Sequence, residues 1–336
     1  MDATHKVSRL QLFLSLPIDA LAALIASIVS LSFSPIFIRL SEVEIGPNAT
    51  AFNRFWIAAI GFWLLNSFLN VPHQKQDTEQ GIQKTLSRPE IGLLIADGML
   101  LSMGTICWTW SLTKTSVANS SMIHNLIPIF TILGGWLVFG KLFENRFILG
   151  TFIAIAGVML LEVNDLFSLS IGQQLIGDLA ALLSAVFFGV HPLIAEQLRT
   201  KFNAVKIMTW SSTASFMLLL PVTIFAQEQL FPSSITGWFS VIGLAFVGQM
   251  LGIGLWTYCL KKLSSGFASL FGLLAPIFSS LEGWTIFSEN IELWTWVSFM
   301  VILFGMYLAI SSKFAIKSQV IEEGRRQNAE EKITYG

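Results

Sequence analysis

Apolar residues fall into ten blocks along this chain, each close to the roughly 20 residues that a helix needs to cross a bilayer. The blocks cover 19–39, 50–70, 91–111, 117–139, 147–163, 177–197, 206–226, 238–259, 265–287 and 292–312. Each is read as a spanning helix. The segments between them are short and polar, except for 71–90, which is predicted to be a longer polar loop. Residues 10–18 are expected to lie along the membrane interface, with Pro17 separating them from the first span. Lys6 and Arg9 resemble the charged start of a signal peptide. The apolar run continues to about Leu40, however, without a convincing small-residue cleavage site, so it is read as a retained span. The tail after Lys313 is charged and is expected to be mobile or a frayed helix extension.

The second half of the pattern repeats the first. Trp108-Thr109-Trp110 is echoed by Trp256-Thr257-Tyr258, and Lys114 by Lys262. Ser121 is echoed by Ser269, Pro128-Ile129-Phe130 by Pro276-Ile277-Phe278, Gly135-Trp136 by Gly283-Trp284, and Gly157 by Gly305. Every pair has the same offset of 148 residues. One register held without a gap over this stretch is hard to obtain by chance. An internal repeat in an apolar chain is a common ground plan for secondary transporters.

Charge sets the direction of the spans. With the N-terminus in the cytoplasm, 17 of the 20 Lys and Arg residues fall in cytoplasmic segments. Arg39 and Lys114 fall outside, and Arg54 lies within a span. This is the expected bias of cytoplasmic loops, and miscounting one span would scramble it. Both termini are therefore placed in the cytoplasm. Five spans per half is an odd number, so the second repeat crosses in the opposite sense. The predicted fold class is an all-α integral membrane protein of ten transmembrane helices, built as two inverted five-helix repeats. Residues 1–18 form a cytoplasmic or interfacial N-terminus. The first repeat is 19–163, an extracytoplasmic linker covers 164–176, the second repeat is 177–312, and a cytoplasmic polar tail covers 313–336.

Composition narrows the function classes. The 336 residues are 54% hydrophobic and 12% charged; a soluble domain has about 25% charged residues. The mean hydropathy of +0.68 agrees. The net charge of −1 gives no basic field for nucleic acid. Cys107 and Cys259 occupy non-equivalent repeat positions, which argues against a disulfide or a metal site. No phosphate-binding Gly-rich loop, zinc-protease helix, Cys-x-x-Cys pair or nucleophile elbow occurs, so the chain is not read as an enzyme.

Candidate chemistry lies in the polar residues within the spans. Pro128 and Pro276 fall near mid-span at equivalent positions, where each bends its helix and frees a carbonyl. They are read as kinks at a cavity. Ser121, His124 and Asn125 share one helix face with Pro128, and such a stripe should face the bundle. With Ser269 they are read as substrate-binding. Hydrogen bonding to a neighbouring helix is the competing reading. Trp108 and Trp256 stand near span ends, where interfacial anchoring competes with walling the pocket. Asp97 and His191 lie at similar depths from the inner ends of their spans and, with Glu282, are candidates for proton coupling. Arg54 and Glu282 lie toward the outer ends of theirs and are candidates to pair with each other. The span glycines, among them Gly150 and Gly157, suit close helix packing.

Several segments carry a family resemblance. SFSPIFIRL at 32–40 and AFNRFWIAA at 51–59 resemble the end of the first span and the Arg-bearing second span of the drug/metabolite transporter superfamily, EamA type. IPIF at 127–130 with GKLFENRFILGTFIAIAGVMLL at 140–161 resembles its fourth and fifth spans. APIF at 275–278 and Ser288-Glu289 resemble the matching region of the second repeat. The resemblance covers roughly residues 20–312. It departs at Lys141, where the family often has Glu, and at Ser298, which stands where Gly150 stands in the first repeat. Both changes argue against a symmetric, dual-topology mechanism. The resemblance implies a gate or structural role for Arg54. It also implies transport of a metabolite by alternating access, without naming the cargo.

The sequence thus points to a secondary transporter for a small polar metabolite, an amino acid or similar, working as an exporter in a bacterial inner membrane. The alternative is a lipid-handling protein such as a flippase, or a membrane binding protein without solute flux. No cofactor and no nucleic acid are expected. The partners are a small-molecule substrate and membrane lipid, and the lipid-facing helices leave room for a homodimer.

Overall fold

The computed structural model describes residues 17–80, 87–115, 117–161, 174–287 and 293–311. Most of the predicted interfacial segment, most of the linker, Ser288-Glu289 and the tail lie outside them. The regular elements among the described residues are all helices, with no strand. The first half comprises α1 (Ile18–Ser32), α2 (Ser34–Ser41), α3 (Pro47–Gln80), α4 (Arg88–Leu112), α5 (Val117–His124), α6 (Ile127–Phe139) and α7 (Asn145–Leu161). The second half comprises α8 (Gln174–Leu198), α9 (Ala204–Phe225), α10 (Ile235–Gly243), a π segment (Leu244–Ile253), α11 (Gly254–Cys259), α12 (Ser265–Gly272), α13 (Ala275–Phe287) and α14 (Leu293–Ile310). Eight continuous or broken helices are long and apolar enough to cross a membrane. The apolar α7 is shorter, and α3, which carries Asn53 and Arg54, is not among the eight.

The repeat reaches the helix boundaries. Adding 148 to the ends of α5 and α6 gives the ends of α12 and α13. The sequence bends the fourth and ninth spans at proline, and the structure breaks both. Pro128 is the second residue of α6 and Pro276 the second of α13, positions where a missing N–H costs little. The first span also breaks, at Phe33, with Pro35 in the first turn of α2. The predicted polar loop 71–90 is corrected in part, because α3 continues to Gln80. Gln, Lys and Glu are good helix formers, so a helix can run on beyond its apolar block.

Packing divides the interior into two main clusters. One joins Leu24 and Ile28 of α1 to Phe147 and Val158 of α7, Phe267 and Leu270 of α12, and Ile302 of α14. The other joins Phe52, Phe55 and Phe62 of α3 to Leu101 of α4 and to Met208 and Leu219 of α9. Trp63, Phe68, Leu137, Val138, Phe225 and Met300 are exposed, as lipid-facing side chains would be. The α7–α14 contact depends on small residues. A Cβ on Gly150 would collide with the backbone at Gly305 and Ala309, one on Gly305 with the backbone at Ala154 and Gly150, and one on Gly157 with the backbone of Ile302.

Helix ends are tied together across the two halves. Glu44, between α2 and α3, accepts from the backbone N–H groups of Ser233 and Ser234 at 2.7 Å each, and from both hydroxyls. Ser234 caps α10, so this carboxylate sits at a helix N-terminus, where negative charge is favoured. Glu228 does the same for α3, accepting from Asn48 Nδ2 at 2.6 Å and from Ala49 N at 2.8 Å. Gly46 and Gly237 leave room for these carboxylates, since a Cβ at either would strike Glu228 or Glu44. At the other end of α1, Lys262 pairs with Asp19 at 2.6 Å. There Arg199 donates to the carbonyls of Thr257 and Tyr258, at the end of α11, and to Phe202 O. Lys201 pairs with Glu90 of α4 at 3.0 Å.

Two outcomes follow from this packing. Gly150→Leu should lower the thermal midpoint of the detergent-purified protein, because overpacking a tight contact costs about 1–3 kcal/mol. Leu at the open Gly92, whose Cβ meets nothing, should leave the midpoint nearly unchanged. The second outcome concerns Glu44, whose pKa is held below its ordinary 4.5 first by the Ser233 hydroxyl, then by Ser234 and the two amides. A depressed folded-state pKa gives stability that is present above pH 4.5 and lost as pH falls below it. Midpoints measured on descent through that window should fall less for Glu44→Gln than for the wild type.

Candidate functional site

The helix breaks and the π segment surround a cavity of about 510 Å³. This is within the roughly 300–1,000 Å³ typical of small-molecule sites. Its wall includes Ser32, Ser34 and Pro35 at the first break, and Arg54 of α3. Thr105 and Trp108 come from α4, and Ser121, His124, Asn125 and Pro128 from the second break. Phe188, His191 and Pro192 of α8 join Trp256 of α11, while Ser269, Pro276, Ser279 and Ser280 flank the third break. Every residue read from the sequence as substrate-binding therefore lies in one wall, as do both kink prolines, Arg54 and His191. Leu161 at the end of α7 also reaches it.

Local chemistry fixes several of these side chains. The ring of His124 stacks on Trp108, with centroids 5.0 Å apart and planes 21° apart. Its other contact is an edge-on approach by Phe188 at 5.2 Å. His124 Nδ1 is 2.9 Å from Ser184 Oγ, and Ser184 donates its own proton to Ala181 O at 2.7 Å. Ser184 therefore accepts from Nδ1–H, which leaves Nε2 as the acceptor of the neutral ring. Asn125 donates to Ser121 O at 2.9 Å across the break. Ser269 is buried and lies 3.0 Å from Thr131 Oγ1, which donates to Gly189 O at 2.9 Å. That knot ties α6, α8 and α12 together below the cavity. Gly272 leaves space for the Trp256 ring, 3.3 Å from where a Cβ would stand.

The ionisable residues sort into two groups. Asp97 and His191 are brought together, with His191 Nε2 3.4 Å from Asp97 Oδ1, both fully enclosed. Asp97 Oδ2 also accepts from Ser211 at 2.5 Å, which ties α4 to α9. Asp97 itself stands behind the cavity wall. Arg54 and Glu282 are not brought together, contrary to the pairing the sequence suggested. Arg54 Nε donates to Gln249 Oε1 at 2.9 Å and its guanidinium approaches Gly248 O at 3.4 Å. Glu282 accepts from Ser32 Oγ at 2.5 Å. Nearness in depth was the sole ground for that pairing, and depth does not say which face of a helix a residue occupies.

Sequence reasoning missed Gln249, Ser184, Ser32, Ser34 and Pro35. Pro35 obeys the same rule that singled out Pro128. Gln249 is a lone amide in an apolar span, a signal of the kind that flagged Asp97. Lys141, noted as a departure, pairs with Glu196 of α8 at 2.6 Å. Glu196 also accepts from Ser265 N at 2.9 Å, at the start of α12. These contacts join the loop after α6 to α8 and to the start of α12. Among the described residues no three His, Cys, Asp or Glu side chains cluster as a metal site would require.

Comparison with known proteins places this architecture. The EamA-like transporter family matches residues 19–163 and again residues 175–311. A protein of Archaeoglobus fulgidus described as an uncharacterized transporter is 22% identical over 290 residues, covering 83% of this chain and 92% of that protein. The pseudopaline exporter CntI of Pseudomonas aeruginosa is 19% identical over 204 residues, covering 61% of this chain and 69% of its own length. A protein of solved crystal structure superposes with a TM-score of 0.72 at 14% identity, over 86% of this chain and 96% of that one. The last likeness speaks to fold alone. With two family matches that together span most of the chain, this multi-pass integral membrane protein belongs to the EamA-like transporter family, of the drug/metabolite transporter superfamily.

Proposed function

We propose that this transporter exports a small polar metabolite by alternating access, through ten spans arranged as two inverted five-helix repeats. The observation that carries the reading is the cavity of about 510 Å³ walled by broken helices from both halves. Broken helices at mid-depth are where transporters place substrate, because backbone polar groups there are tolerated only against protein or a cavity. The Lys and Arg bias supports an orientation with both termini in the cytoplasm, and the membrane of this reading is a bacterial inner membrane. In that orientation the Lys141–Glu196 pair and Arg199 lie on the cytoplasmic side. Alternating access then requires those contacts to part in the state open to the cytoplasm. A few kcal/mol between the two states is enough for substrate to shift their populations. The relationship to a pseudopaline exporter favours export.

The enclosed Asp97–His191 pair is the proposed proton-handling element. It stands directly behind the cavity wall, where His191 also faces the cavity. A proton taken by the pair in one state and released in the other would couple export to the proton gradient.

Two measurements test these readings. Spent medium and cell extract are compared by mass spectrometry between cells overproducing the wild type, cells overproducing His124→Ala, and cells with empty vector. A metabolite enriched outside only with the intact protein is the expected result, and no difference outside would count against export. In the same assay Asp97→Asn, His191→Gln and the double variant are compared. A coupled pair predicts that the double variant loses no more than the worse single one, whereas multiplying losses would separate the two residues.

A further inference from the structure

The cavity wall carries one guanidinium and no carboxylate among its described residues. Arg54 is the only Lys or Arg that reaches it, and no ion pair of Arg54 with Asp or Glu occurs among the described residues. Two acids stand outside the lining: Glu282 accepts from Ser32 through Oε1 while its Oε2 is buried without a partner, and Asp97 accepts from Ser211 and has His191 Nε2 3.4 Å from its other oxygen. Gln249 aims the guanidinium by accepting from Nε, which leaves the terminal nitrogens to the Gly248 carbonyl and the cavity. An unpaired cation at this depth is costly unless an anion or water meets it. Unsatisfied donors stand in the same wall. Trp108 Nε1, which can only donate, is buried without an acceptor, and the buried Ser34 hydroxyl has no partner. Gln249 Nε2, beside Arg54, is also buried without a partner. Around them the wall is aromatic, with Trp108 stacked on His124 and with Phe188 and Trp256 alongside.

Resting on the transport reading and sharpening it, we infer that the cavity takes an organic carboxylate with a planar apolar body. Arg54 receives the carboxylate in a two-pronged hydrogen bond, the geometry a guanidinium favours. Trp108, His124 and Trp256 enclose the rest of the molecule. An amide of the same skeleton keeps the shape and loses the charge, and an amine places like charge beside Arg54.

The test uses full-length purified protein and isothermal titration with three compounds that share a ring: phenylacetate, phenylacetamide and phenethylamine. Phenylacetate should bind saturably, and the other two should bind roughly tenfold more weakly or not at all. Arg54→Gln should lose roughly tenfold in phenylacetate affinity, and Arg54→Lys, which keeps the charge, should lose less. The preference among the three compounds in the wild type needs no variant, so a misfolded Arg54→Gln protein would not spoil the result. Equal or tighter binding of the amide or amine would overturn the assignment. So would unchanged phenylacetate affinity in a folded Arg54→Gln protein, or no phenylacetate binding up to about 10 mM. Flux in proteoliposomes separates this inference from the transport reading. Phenylacetate binding without flux upholds the carboxylate site and counts against transport. Flux of the amine or amide in preference to phenylacetate upholds transport and overturns the carboxylate site.

Discussion

In hydrocarbon a backbone N–H or C=O has no water to turn to, and this constraint governs where the chain can be irregular. The described spans are continuous helix except at a few places. Phe33, Asn125-Leu126 and Leu273-Leu274 interrupt three of them, and Leu244–Ile253 adopts the wider π winding. Residues at or beside each of the three breaks, and Ile253 at the end of the π segment, border the cavity that Arg54 and several hydroxyls line. The breaks and the cavity depend on each other. Freed carbonyls need an interior polar space, and that space exists because broken helices cannot pack flush. Prolines at 35, 128 and 276 fix where the breaks fall, and the serines around them supply local hydrogen bonds.

The two halves share geometry and differ in chemistry. Equivalent breaks carry Ser121, His124 and Asn125 on one side and Ser269, Gly272 and Leu273 on the other. One side is polar and stacked against Trp108, while the other is small and makes room for Trp256. Helices α7 and α14 pair through glycine and alanine, and of the two only α7 reaches the cavity, at Leu161. A site formed this way is asymmetric within a nearly symmetric frame. A substrate with distinct ends can therefore be held in one orientation.

Much of this was legible in the residues. The spacing of Ser121, His124, Asn125 and Pro128 marked one face, and the fixed offset marked its partner, because helical period and repeat register are both properties of sequence. Where the reading failed, the deciding quantity was rotational. Arg54 and Glu282 matched in depth but face different neighbours. Gln249 lies inside the π segment, where the winding departs from 3.6 residues per turn, so a helical wheel misplaces it. The Asp97–His191 pairing survived because equal depth coincided with the close approach of α4 and α8. Helix α3 outran its apolar block because hydropathy marks where lipid ends, which need not be where a helix ends.

The ties at the two ends of the bundle are chemically unlike. At one end Glu44 is held by backbone N–H groups and hydroxyls and Glu228 by a backbone N–H and the Asn48 amide, with no ion pair to either among the described residues. At the other, Lys201 meets Glu90 and Lys262 meets Asp19 as exposed ion pairs. Dissolved ions weaken exposed charge pairs within a Debye length of about 8 Å at physiological ionic strength, and they act much less on hydrogen bonds to fixed amides. The two faces of the protein thus differ in their sensitivity to ionic strength. A rise in salt weakens these two pairs, while Lys141–Glu196, whose carboxylate is buried, and the amide-held Glu44 and Glu228 stay fastened.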